Sequence, residues 1–163
     1  MKTNIILLIV FALLSNGCGN KSKDETDNRQ NKKITQKLHI EDYDFSVMNN
    51  NSFIIYNKAI YQRGDEVYFV LKNVGPFARG KDSLNRAEMK MEILNAIGET
   101  VAYKDKLFGE RGHADFNNNI LKQPYASYST DRKDEIGKYT FKVTVYDLIS
   151  GDSTSVSDDF YIE

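Results

Sequence analysis

The sequence predicts an all-β fold, an antiparallel sandwich of about eight strands. Two observations predict it. Apolar and polar residues alternate with period two through residues 66–74, 86–94 and 138–146, as in strands with one face on a core. Turn chemistry recurs between such runs at short spacing, at 48–51 (MNNN), 63–65 (RGD), 95–98 (NAIG) and 149–152 (ISGD), which is the rhythm of an antiparallel sandwich.

In chain order, the first strand is predicted over residues 39–47, where Tyr43, Phe45 and Val47 share a parity. Residues 52–60 follow, carrying Phe53, Ile54, Ile55 and Tyr56. In the third, Val67, Phe69 and Leu71 take one face and Tyr68, Val70 and Lys72 the other. Residues 75–85 (GPFARGKDSLN) are a loop. Residues 86–94 (RAEMKMEIL) are rich in helix formers. Yet Ala87, Met89, Met91 and Ile93 alternate strictly with Arg86, Glu88, Lys90 and Glu92, and the period decides for a strand. A hairpin at 95–98 leads into a strand over 100–107. Residues 108–122 (FGERGHADFNNNILK) are the longest irregular stretch, and a weak strand over 123–130 is edged by Pro124. Tyr139, Phe141, Val143 and Val145 then alternate with polar partners, and Thr154, Val156, Phe160 and Ile162 return on one parity. If the eight strands alternate up and down, connections 48–51, 75–85, 108–122 and 148–152 lie at the end far from where the chain enters. The two long loops then share a distal tip, where binding loops belong.

Residues 137–143 (GKYTFKV) resemble the G-x-Y-x-F-x-V of immunoglobulin-like, fibronectin-type and PKD-like domains. The resemblance implies an immunoglobulin-like β-sandwich. It also implies that Tyr139 forms a corner at the start of the penultimate strand, its hydroxyl returning to backbone just upstream.

Before the domain lies a different kind of sequence. Lys2 and an unbroken apolar run at residues 5–14 precede small and polar residues and the single cysteine, Cys18. These are the regions of a secretory signal, and the run is shorter than the ~20 residues of a spanning helix. Leu14-Ser15-Asn16-Gly17-Cys18 resembles a bacterial lipobox of the relaxed kind found in Bacteroidota. It implies cleavage after residue 17 and lipidation of Cys18. A lone free thiol exported to an oxidising compartment is otherwise a liability. Gly19, in place of an inner-membrane-retaining Asp, implies lipid anchoring to the bacterial outer membrane, with the periplasmic and surface faces both open. Residues 18–37 are charged and have Ile34 as their only large apolar side chain, so they read as a disordered tether of roughly 25 Å span. Asp24-Glu25-Thr26-Asp27 resembles the acidic stretch of surface-exported lipoproteins; plain solvating charge is the other reading. Residues 38–163 form the β-sandwich domain.

Formal net charge is −1, which sets up no field for nucleic acid. One cysteine excludes an intrachain disulfide. With two histidines, His39 and His113, a multi-His zinc site is not expected, and no metal or other cofactor is implied. Arg79, Lys81, Arg86 and Arg111 sit in or beside the long loops as a basic patch for an acidic ligand, such as a glycan or lipid headgroup, or as solubilising charge. His113-Ala114-Asp115 suggests a base with an orienting carboxylate, with no nucleophile motif beside it. Asp115 to Asn119 matches the first three oxygen ligands of a calcium loop, but Ile120 and Ala126 occupy its sixth and twelfth positions, which rejects an EF-hand. Tyr68 and Tyr146 lie on polar strand faces, where a sugar ring would stack, although Tyr is common in strands. Asp82-Ser83-Leu84 and Asp152-Ser153-Thr154 resemble the D-[ST]-x glycosylation motif of Bacteroidota.

Together these observations predict a membrane-anchored, non-catalytic binding, adhesion or scaffolding module of the cell envelope. The candidate ligand-binding residues are Arg79, Lys81, Arg111, His113 and Asp115, and the candidate ligand is an envelope protein or a glycan. Two alternatives stand beside it, an accessory or inhibitor-like module docking on an envelope enzyme and a hydrolase using His113.

Overall fold

A computed structural model describes residues 37–163. The predicted signal region, Cys18 and the predicted tether up to residue 36 lie outside the described residues. Within them are ten strands: β1 (His39–Asn49), β2 (Ser52–Ile55), β3 (Ile60–Tyr61), β4 (Glu66–Gly75), β5 (Asn85–Leu94), β6 (Thr100–Lys104), β7 (His113–Ala114), β8 (Tyr125–Ser129), β9 (Gly137–Asp147) and β10 (Ser153–Ile162). They form a β-sandwich. One sheet has the order β2-β1-β4-β8 and the other β3-β10-β9-β5-β6, with β7 paired to β5. The strand pairs are antiparallel except for the short parallel pairing of β3 with β10.

Alternation decides the packing. Every odd-numbered position of β5 from Asn85 to Ile93 is buried and every even one is half-buried, so its helix-forming composition is overridden by the core it covers. Phe69 of β4 stacks on Phe141 of β9 across the sandwich, centroids 5.1 Å apart and planes 14° apart. Phe45 packs on Phe69 at 4.9 Å, and Tyr139 lies over Phe160 at 5.6 Å. Offset aromatic pairs of this kind add to the area they bury. The hydroxyl of Tyr139 donates to the carbonyl of Glu135 at 2.9 Å. This is the expected corner, at the start of the penultimate strand.

Two expectations are corrected. The predicted strand over 52–60 is two strands in two sheets. After β2 the chain turns through residues 56–59, with Ala59 at φ 48°, and crosses to pair with β10. That extra reversal, together with β7, raises the count from eight to ten, and it changes the parity. His39 pairs with Gly75, and Asn85 lies opposite Ala114. Both long loops therefore gather at the end where the chain enters β1, not at the far end. Connection 148–152 joins them, since Ala87 pairs with Asp147. Turn 48–51, with Asn50 and Asn51 at φ 48° and 61°, lies at the opposite end.

Candidate functional site

The two long loops are built around one buried side chain. Asn85, first residue of β5, has 0% exposure. Its amide donates to the carbonyls of Ala78 (2.9 Å) and Phe77 (3.3 Å) and to Oδ1 of Asn119 (3.2 Å). Its oxygen accepts the backbone N–H of Phe116 at 3.0 Å. One carboxamide thus ties loop 76–84 to loop 105–124. Phe77 and Phe116, both buried, meet edge to face at 5.5 Å beneath it. Nearby, the buried Asp147 carboxylate accepts from the Ala78 N–H (2.7 Å), the Ile149 N–H (2.9 Å) and the Ser150 hydroxyl (2.8 Å). Every lone pair spent this way stiffens the base of the loops.

The second loop is laid along β5. Leu107 N–H donates to the Met89 carbonyl at 2.9 Å, and Phe108 N–H to the Glu88 carboxylate at 2.8 Å. A short 3-10 turn, Gly109–Gly112, follows. A Cβ at Gly112 would strike the carbonyl oxygen of Ala87, so only glycine lets the turn approach β5 this closely. The chain passes under Phe116, pairs Leu121 with Val74, and becomes β8.

Between this loop and β8 runs an open groove of about 440 Å³. It follows the side of the sandwich where β6 and β8 are the outermost strands. Leu107, Phe108, Phe116, Leu121 and Ala126 give it an apolar floor. Lys104, Arg111 and Lys122, all exposed, supply its charge, and among the described residues no carboxylate lines it. Tyr125, 45% exposed, forms part of its wall. Behind it, Tyr125 packs against Phe53 (4.9 Å) and Tyr68 (5.9 Å) on the outer face of the first sheet. Desolvation in this cluster, with the Glu66 carboxylate accepting its hydroxyl, pushes Tyr68 up to about 12.

The five sequence-derived site residues do not converge. Arg79 and Asp115 are paired with each other, and Arg79 also donates to Asn119 Oδ1 (2.9 Å) and the Ser83 carbonyl (2.7 Å). This bond joins the two long loops, and it occupies the Asp115 and Asn119 oxygens that the calcium reading needed. His113 Nε2 lies 3.2 Å from Asp82 Oδ2, not on Asp115, and the same oxygen accepts from Arg86 at 2.6 Å. The Leu84 N–H, with His113 and Arg86 beside it, holds the Asp82 carboxyl below the usual carboxylate range. Of the basic patch, Arg79 and Arg86 therefore face carboxylates at close range. Lys81 is exposed near the loop tip. Arg111 alone of the five lines the groove. Ser83 and Ser153, the hydroxyls of the two D-S-x motifs, are exposed.

Sequence reasoning missed Lys104, Lys122 and Tyr125. Lys104 ends β6, Tyr125 begins β8 in the other sheet, and Lys122 lies in the loop just before β8, so no sequence period links them. The one available signal was positional, since Lys122 ends the longest irregular stretch and Lys104 lies shortly before it.

No family model matches the sequence, and no curated protein matches it. Among solved structures the chain is similar to one described as the crystal structure of the C-terminal domain of wzt. The two share 10% identity over 78% of this chain and 75% of that chain, with a TM-score of 0.48.

Proposed function

We propose that the protein is a non-catalytic recognition module of the bacterial cell envelope, held at the outer membrane through lipid on Cys18, whose β-sandwich binds an anionic ligand in the groove beside β8. The groove carries this reading. Three cations, with no lining carboxylate among the described residues, surround an apolar floor, a combination suited to orienting a charged ligand while burying part of it. One wall is β8 and the other is the loop that Leu107 and Phe108 bond to β5, so little is lost in ordering the site on binding. His113, the base of the hydrolase alternative, is exposed, with Asp82 Oδ2 at 3.2 Å and Arg86 donating to the same oxygen.

The anchor rests on residues 14–18 and on acyl-chain physics. Each buried CH2 contributes about 0.8 kcal/mol, and more than one chain makes anchoring stable. Labelled palmitate incorporated into the wild-type protein and absent from Cys18→Ser, with release of that variant from the membrane fraction, is the expected result. Equal membrane retention of Cys18→Ser would overturn the anchor.

The binding reading is tested with segment Thr35–Glu163, which forms a compact unit and contains every core residue from Leu38 to Ile162. Titration with oligogalacturonate and with oligoglutamate is expected to give salt-sensitive binding to at least one. Arg111→Ala should weaken it about tenfold, as for loss of one charge-assisted contact. Binding unchanged in Arg111→Ala and in Lys104→Ala would place the ligand elsewhere.

A further inference from the structure

The wall of the groove formed by β8 is an open sheet edge, and its register says which backbone groups are free. Leu71 N–H donates to the Pro124 carbonyl (2.8 Å), Asn73 N–H to the Lys122 carbonyl (2.9 Å), and Thr130 N–H to the Asp65 carbonyl (2.9 Å). Even-numbered residues from 122 to 130 thus face β4. In an antiparallel ladder the bonding direction alternates residue by residue. With Phe69 opposite Ala126 and Tyr68 opposite Ser127, the N–H and C=O of Tyr125 and Ser127 point away from β4, along the groove. β8 is the last strand of its sheet. Natural proteins usually blunt such an edge with charge, proline or a covering element. Here Pro124 blunts only its beginning, and the space beyond Tyr125 and Ser127 is the groove itself.

We infer that the groove takes an extended acidic peptide segment of a partner protein, added as a further strand along β8, with main-chain hydrogen bonds to Tyr125 and Ser127 and carboxylates facing Lys104, Arg111 and Lys122. This rests on the groove being the recognition site and names the partner chemistry for it. Strand addition takes affinity from the ladder and specificity from alternate side chains. An apolar residue of the added strand would cover Leu107, Phe108 and Leu121, which are only half-buried. Charge complementarity chooses an acidic segment, because the described residues that line the groove include three cations and no carboxylate. A sugar chain would use the same cations but not the paired donors and acceptors of a free strand edge, which a peptide backbone matches at each second residue.

The test uses Thr35–Glu163 and a capped octapeptide of valine and glutamate, read by fluorescence polarisation. Three arms accompany it: the same peptide with glutamate replaced by glutamine, the same peptide N-methylated at alternate residues in either phase, and an oligogalacturonate of equal charge. The acidic peptide should bind, the glutamine peptide at least tenfold more weakly, and one phase of N-methylation should abolish binding while the other leaves it. Ser127→Pro removes an edge N–H that takes no part in the ladder to β4. It should cost about tenfold in peptide affinity with an unchanged thermal midpoint. If that variant unfolds, the N-methylation arms decide alone. Peptide binding equally sensitive or equally insensitive to both phases overturns strand addition. Arg111-dependent binding of oligogalacturonate without peptide binding also overturns it, while leaving the groove as the recognition site. Failure of every anionic probe overturns both.

Discussion

The side-chain oxygen of Asn85 accepts the backbone N–H of Phe116 at 3.0 Å, with both residues buried. That bond fixes the floor of the groove to the first residue of β5. The amide of the same side chain holds the opposite loop through Phe77 and Ala78. Asn85→Leu keeps the branched shape, adds the bulk of two methyl groups and removes every one of these bonds. A buried donor or acceptor left without a partner costs about 1–3 kcal/mol. Urea unfolding of this variant should show a loss of about 3 kcal/mol, and hydrogen exchange at Phe116 should accelerate. Stability within about 0.5 kcal/mol of wild type would mean that the loops are held by other contacts.

Tyr139→Phe isolates the corner hydrogen bond to Glu135. The ring remains over Phe160, so only the hydroxyl contribution is lost. A net cost of about 1 kcal/mol is expected, measured as a lower urea midpoint at constant m-value. A cost near zero would show that water replaces the bond at no loss.

Acid and alkaline limits follow from the charged pairs and the buried phenols. Lys72 beside Asp42, the Leu84 N–H on Asp82, and Lys138 with Thr140 on Asp159 hold these carboxyls below their ordinary 3.8. Their contribution is present above that value and is lost as pH falls through the folded values. Burial pushes the Tyr61 and Tyr128 phenols above their ordinary 10.0. Their contribution is complete below pH 10 and is lost as pH rises through the folded values. Thermal midpoints should therefore be level between about pH 5 and 9 and fall on both sides. An inflection near neutrality would contradict this.

Much of the fold was legible because burial writes period two into the sequence. β4, β5, β9 and β10 each have one face under the sandwich, and each showed its alternation. In β5 that signal outweighed a helical composition. The crossing at 56–59 was not legible. It is made by Tyr, Asn, Lys and Ala with no glycine or proline to mark it, and Ala59, at positive φ, is bonded through its backbone to Tyr56 and to Tyr161 of β10. One hidden reversal was enough to move the loops from the far end of the sandwich to the end where the chain enters. β7 was hidden for a related reason, since a two-residue strand has no period.

The site was less legible than the fold because it is made by the meeting of two sheet edges. Arg111 was visible as a cation in a long loop. Lys104 and Lys122 gain their meaning only when β6 and β8 close the same side of the sandwich. Arg79 and Asp115 looked like functional loop residues, and the structure spends them on each other to join the two loops.

Amide and side-chain chemical-shift mapping reads out where on the sandwich an anionic ligand sits. Thr35–Glu163 would be titrated with the anionic oligomer that binds it best. The expected perturbations centre on Lys104, Arg111, Lys122, Tyr125 and Ser127, with Lys81 and the outer face around Tyr146 unmoved. Perturbations confined to Lys81 and Arg86, or to the Tyr146 face, would contradict the account and move recognition away from the groove.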